Sequence, residues 1–130
     1  MQLNADDPVE RVFIHCVNIY RERSKKYTHE RWDDNFRFIA NRMQESGYPS
    51  FTAADAATVL MLVKEARQDA AGKSGRLNFL DDTFRDSEID DINYRVIRRA
   101  LRDQEQDQNL AELRREDEHE RPTPPRPDGA

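Results

Sequence analysis

Apolar residues recur three and four positions apart along most of the chain, which places them on one face of an α-helix. The spacing predicts a first helix from Pro8 to about Lys26, with Asp7 as its N-cap. A second helix is predicted from a cap at Thr28 to about Ser46, where Gly47 stops it. The apolar faces of these two helices comprise Val9, Phe13, Cys16 and Tyr20, and then Trp32, Phe36, Ile39 and Met43.

Two further helices follow. Thr52 and Asp55 form a capping box for a third helix, which ends at the loop from Gly72 to Gly75. Ser87 and Asp90 are the predicted caps of a fourth helix. Its predicted buried side comprises Ile89, Ile92, Val96, Ile97, Ala100 and Leu101. The expected fold is therefore all-α, an antiparallel bundle of four main helices.

The chain divides by composition into a body and a tail. Residues 1–104 are predicted to form a single helical domain, and residues 105–130 a charged helical extension followed by a disordered segment. In the extension only Leu110 and Leu113 are candidate anchors. The acidic tail holds four of the six prolines within residues 121–130, which prevents a regular helix there.

Composition limits the functional classes. With 36% hydrophobic and 36% charged residues in 130, the core must be thin, and a homodimer would add to it. The net charge of −5 gives no support for nucleic acid as a partner. A single cysteine, Cys16, forms no internal disulfide, and no run of eighteen apolar residues exists to span a membrane. The expected location is the cytoplasm.

Two pairs of carboxylates stand four residues apart and suggest a metal site. They are Glu65 and Asp69 on the third helix, and Asp86 and Asp90 at the start of the fourth. Magnesium prefers oxygen ligands and substrate phosphates, so two such helices side by side would hold it. Three cations would neutralise the phosphate charge: Arg23, Lys64 and Arg67. The alternative is that the residues from Asp86 to Asp90 only cap the fourth helix, where its dipole favours negative charge.

An ordered set of short motifs carries a resemblance to a known family. The motifs are Arg23 and Tyr27, then Asn35 and Ile39-Ala40, then Lys64 and Arg67, and finally Asp86, Asp90 and Tyr94. The chain resembles a phage and prophage family of small helical domains, a distant relative of the all-α MazG-like nucleotide pyrophosphohydrolases. The resemblance implies that Tyr27, Asn35 and Tyr94 also belong to the site. The Glu-Glu-x-x-Glu helix of the hydrolases has no match around Glu65.

Two functions are therefore expected to compete with a third possibility, a structural helical module that has no ligand. The first is magnesium-dependent hydrolysis of a nucleoside triphosphate, or nucleotide binding, by a phage-encoded protein in the host cytoplasm. No catalytic residue is assigned. The alternative is a non-enzymatic phage protein that acts on a host protein by direct interaction, as a counter-defence or host-modulating factor.

Overall fold

The computed structural model describes residues 2–27, 30–73 and 82–120. They form four helices, and no strand occurs within these ranges. The helices are α1 (Pro8–Tyr27), α2 (Asp34–Glu45), α3 (Ala53–Lys73) and α4 (Asp82–Glu120). The all-α prediction is confirmed. The predicted disordered segment at residues 121–130 lies outside the described residues.

Two predicted helix starts are confirmed by their hydrogen bonds. Asp7 Oδ1 accepts the backbone N–H of Val9 at 2.9 Å and that of Glu10 at 3.1 Å. Thr52 and Asp55 form a reciprocal capping box, in which Asp55 N donates to Thr52 Oγ1 at 3.1 Å and Thr52 N donates to Asp55 Oδ2 at 2.9 Å. These caps satisfy backbone donors that the first turn of a helix leaves without an internal partner.

The second helix ends as predicted but begins later. Gly47 adopts a φ of 106°, the left-handed conformation that ends many helices. At the other end, the helix begins at Asp34, whereas the predicted cap, Thr28, lies outside the described residues. Asp34 Oδ2 accepts the backbone N–H groups of Glu30 and Arg31 at 3.0 and 2.9 Å, which folds residues 30–33 into a turn rather than a helix.

The predicted start of the fourth helix is wrong. The helix begins at Asp82, so Ser87 and Asp90 lie within it rather than at its cap. Both side chains are buried. Because the helix dipole acts over the first turn only, it does not explain the acidic groups from Glu88 to Asp90. The interpretation of this cluster as helix caps is therefore wrong as well.

The core lies where α2, α3 and α4 meet. Alanines on the first turns of α3 allow the neighbouring helices to approach closely, and Leu101 of α4 fills the space at 1% exposure. The fully buried cluster comprises Phe36, Ala54, Ala56, Ala57 and Leu101. Trp32, Tyr94 and Ile97 pack against it and are partly buried. The first helix contributes no residue to this cluster.

Polar contacts join α4 to the starts of the other helices. Arg37 Nη2 of α2 donates to Gln104 Oε1 at 2.9 Å. The backbone N–H of Ala54, in the first turn of α3, donates to Glu105 Oε1 at 3.4 Å. Gln104 and Glu105 therefore contact the body of the fold, on both sides of the domain boundary predicted after residue 104.

Several residues predicted to be buried are exposed. On α4, Ile92 and Val96 are 36% and 63% exposed, while on α1 Phe13 is 54% exposed. The cause is the rotation of α4, which turns Asp90, Tyr94 and Leu101 towards the other helices. A neighbouring flank of the same helix, which includes Asn93, meets α1, and α1 packs mainly against α4. Val9 and Ala100 were also predicted on apolar faces and are exposed, as are the neighbouring Val12 and Val17.

The last turns of α4 extend away from the core. From Gln106 to His119 every residue is exposed except the half-buried Ala111. Leu110 and Leu113 are 46% and 59% exposed, so these predicted anchors do not dock on the body. Among the described residues, no helix combines the length and apolarity needed to cross a membrane.

The position of Leu101 predicts a measurable loss of stability. Leu101→Ala should lower the free energy of unfolding by about 2–5 kcal/mol, because it leaves a cavity in the centre of the core. Leu110→Ala on the same helix should change it by about 0.5 kcal/mol or less, since that side chain is exposed. Urea unfolding followed by circular dichroism measures both. Equal losses in the two variants would show that Leu101 is not a core residue.

Candidate functional site

One buried carboxylate joins three helices. Asp90 of α4 accepts from Arg23 Nη1 of α1 at 2.9 Å and from Lys64 Nζ of α3 at 3.0 Å. The Asp90 and Lys64 side chains are 6% and 15% exposed, whereas that of Arg23 is 44% exposed. The arrangement places one negative and two positive charges together, and the exposed positive charge is that of Arg23.

Local sequence explains how these three groups meet. Arg23 is near the end of α1, and Lys64 is in the middle of α3, so each needs a long side chain to reach α4. Arginine and lysine can lay their methylene groups along apolar surface while the charged end reaches a partner. A carboxylate as buried as Asp90 needs such partners, because an unpaired buried charge costs several kcal/mol.

A cleft opens beside this ion cluster, between α1, the turn before α2, α2 and α4. Its volume is about 100 Å³. Its lining combines aromatic rings and amides with the Arg23–Asp90 pair: Tyr20, Arg23, Ser24, Trp32, Asn35, Phe36, Asp90, Asn93, Tyr94 and Ile97. Rings offer stacking surfaces, and an amide can both donate and accept hydrogen bonds.

Two contacts hold the walls of the cleft in place. The rings of Phe36 and Tyr94 meet edge to face, with centroids 6.4 Å apart and planes at 79°. Asn93 Nδ2 donates to the backbone carbonyl of Cys16 at 3.0 Å, which ties α4 to α1. The cleft is thus supported by a ring pair on one wall and by an inter-helix hydrogen bond on another.

Four of the ten residues named by the motif pattern line this cleft, and a fifth pairs with one of them. Arg23, Asn35, Asp90 and Tyr94 line it, and Lys64 reaches it through its ion pair with Asp90. Arg67, the third predicted phosphate ligand, is exposed on α3 and does not line the cleft. The side chain of Tyr27 lies outside the described part of the structure.

The four predicted magnesium ligands do not lie together, and three of them form ion pairs with arginine or lysine. Glu65 pairs with Arg95, and Asp69 pairs with Lys73 at 3.0 Å on the surface. Asp86 is exposed, and both oxygens of Asp90 are occupied by cations. Within the described ranges, no three His, Cys, Asp or Glu side chains are grouped so that they could hold a metal ion. The four carboxylates therefore do not fit a shared magnesium ion in this arrangement, and magnesium binding stays a prediction.

The sequence analysis missed a buried acidic residue, Asp33. Its side chain is fully buried, accepts from Arg37 Nε, and has Arg31 Nε 3.5 Å from Oδ1. Oδ1 itself has no hydrogen-bond donor. Asp33 precedes the first residue of α2, a position where aspartate is common, but the assignment of the cap to Thr28 concealed it.

A wider apolar groove adjoins the cleft and has a volume of about 590 Å³. We call this the α1/α4 groove. Its lining is Phe13, Cys16, Val17, Tyr20, Trp32, Ile92, Asn93, Val96, Ile97 and Ala100. Cys16 is buried at its base, and this burial raises the pKa of the thiol, so Cys16 packs as an apolar group rather than a nucleophile.

Comparison of the chain with protein families, curated proteins and solved structures gives no match. The resemblance to the phage domain family therefore stays a prediction, carried by the motif residues alone.

The ion cluster predicts a stability difference between two adjacent aspartates. Asp90→Asn should lower the free energy of unfolding by about 3 kcal/mol, because Lys64 is left buried without its counter-charge. The neighbouring Asp91→Asn should cost about 1 kcal/mol or less, since its partner Arg95 is about half exposed. Chemical unfolding measures both variants. Similar small losses would mean that the Asp90 cluster does not join the helices.

Proposed function

We propose that this protein binds a nucleotide at the cleft beside Asp90. The observation that carries the proposal is the meeting of Arg23, Asn35, Asp90 and Tyr94 at one cleft, although they are far apart in the sequence. They are four of the ten residues that the motif pattern named, and Lys64, a fifth, pairs with Asp90.

The exposed guanidinium of Arg23 is the proposed phosphate ligand. Arginine carries five N–H donors, and the ion pair with Asp90 uses one of its terminal nitrogens, so other donors face outward. Asp90 holds the side chain in position and Lys64 offsets the charge of Asp90. An arriving phosphate would therefore meet a positioned cation, and need not displace the carboxylate.

The aromatic side of the cleft is the proposed base site. Trp32 and Tyr20 are half-buried, so part of each ring remains accessible, and Asn35 offers an amide beside them. Stacking of a base on an aromatic ring contributes about 1–3 kcal/mol and does not select strongly among bases. We therefore expect modest affinity with limited base preference.

The cleft is too small to hold a whole nucleotide. A volume of about 100 Å³ is below the range of about 300–1,000 Å³ typical of small-molecule sites. The adjoining α1/α4 groove shares Tyr20, Trp32, Asn93 and Ile97 with the cleft. A nucleotide would therefore place only one part of itself in the cleft, and the rest would lie outside it.

The proposal concerns binding and does not extend to hydrolysis. Hydrolysis of a triphosphate at the α–β bond would need a positioned water and stabilisation of the charge on the phosphates. The predicted magnesium ligands are not grouped here, since three of the four carboxylates pair with cations. Arg23 supplies charge stabilisation at the cleft, but the described residues provide no grouped metal ligands.

Titration calorimetry tests nucleotide binding directly. The full chain should bind nucleoside mono-, di- or triphosphates, each measured with and without magnesium. Arg23→Gln should weaken binding about tenfold or more, because charge-assisted hydrogen bonds are worth about 1.5–3 kcal/mol. Arg102→Gln, which removes an exposed arginine of α4 that lines neither the cleft nor the α1/α4 groove, should leave binding unchanged. Absence of heat with every nucleotide would refute the proposal.

A second candidate function is favoured by the exposed end of α4. Leu110 and Leu113 stand three residues apart on a helix with charged neighbours and few contacts to the body. Spacing of three or four residues is the pattern by which an amphipathic helix enters a groove on another protein. This observation fits a non-enzymatic protein that acts by binding a host protein, and requires no nucleotide.

A capture experiment tests this second candidate. The full chain, immobilised, should retain a defined protein from bacterial lysate, and the double substitution Leu110→Asp with Leu113→Asp should abolish its retention. Retention should persist with Val59→Asp, which alters an apolar residue of similar exposure on α3. If the leucine variant retains the same protein as the original chain, the end of α4 is not the binding surface.

A further inference from the structure

The α1/α4 groove is an apolar surface that the described residues leave exposed. Phe13, Val17 and Val96 are 54%, 39% and 63% exposed, and Val9 and Ile92 extend the surface. Contiguous exposed apolar patches are common sites of contact with another protein.

Two other segments of this chain do not suit the Val96 end of the groove. Phe79, in the apolar connection before α4, is three residues from Asp82, and three extended residues span about 10 Å. Val96 lies fourteen residues into the helix, about 21 Å along its axis. Residues 121–130 consist mainly of proline, arginine and small or polar residues, which do not complement an apolar groove.

We infer that the α1/α4 groove is the contact surface between two copies of this chain, related by a two-fold axis with their first helices antiparallel. The exposed side chain of Phe13 and the groove beside it belong to the same surface, as a symmetric contact requires. Phe13 of each copy would occupy the groove of the other copy.

Charged residues on either side of Phe13 and Val17 favour an antiparallel arrangement of the two α1 helices. Glu10 and Arg21 are eleven residues apart, close to three helical turns, so they lie on the same edge of α1. Glu10 is three residues before Phe13, and Arg21 is four residues after Val17. The two charges therefore lie at opposite ends of the apolar surface formed by Phe13 and Val17. Antiparallel helices put Glu10 opposite the partner's Arg21 twice, whereas parallel helices would put like charges together.

The groove shares Tyr20 and Trp32 with the cleft, so the second copy would lie next to the cleft. The inference does not rest on nucleotide binding, because its readout is the mass of the protein.

Sedimentation equilibrium over a range of concentrations tests the inference. The original chain should reach twice the monomer mass of 15.3 kDa. Val96→Asp should shift it to the monomer, while Val59→Asp, an exposed valine on α3 outside the groove, should leave the dimer intact. A monomer at every concentration, a Val96→Asp dimer, or equal dissociation of both variants would each overturn the inference. Helical circular dichroism confirms that each variant is folded.

Charge reversal tests the direction of α1 without altering the apolar groove. Glu10→Arg and Arg21→Glu should each weaken the dimer severalfold, because each places two like-charged pairs across the interface. The double variant should restore the original dissociation constant. Additive weakening in the double variant would exclude the antiparallel pairing of Glu10 with Arg21 and overturn this arrangement.

Discussion

The arrangement of the helices depends on the buried carboxylate of Asp90. It accepts from Lys64 at 3.0 Å and from Arg23 at 2.9 Å, and so connects α4 to both α3 and α1. Apolar contact alone joins α1 weakly, since Cys16 is the single buried residue among the described side chains of that helix. The charge pair therefore fixes a helix that packing leaves loosely held, and the position of α1 in turn forms one wall of the cleft.

Local sequence signals predicted the helices better than they predicted the faces of those helices. Asp7, Thr52 with Asp55, and Gly47 act within a few residues of themselves, and all three predictions are confirmed. Which side of α4 is buried depends on distant partners. The apolar stripe suggested Ile92 and Val96, but the ion pairs of Asp90 and the small alanines of α3 turn the helix away from them.

The candidate site was also predicted only in part, because helical spacing does not reveal contacts with distant residues. The order of the motif residues identified Arg23, Asn35 and Tyr94, which line one cleft. The carboxylate pairs of Glu65 with Asp69 and of Asp86 with Asp90 were read from helical spacing alone. Spacing gives the face of a helix but not the neighbours of that face, and the neighbours here are arginines and lysines. Those cations convert a predicted ligand set into separate ion pairs.

The cleft and the groove are open for a common physical reason. Small helices rich in charged residues each bury one narrow stripe, so a chain with 36% hydrophobic residues leaves some apolar surface unpaired. Here α1 leaves that surface beside the rings of Trp32 and Tyr20. A surface that is apolar along one side and carries Arg23 at one end suits a ligand or partner with both an apolar and an anionic part. The uncovered face of α1 is thus a direct consequence of a thin core held together by charge.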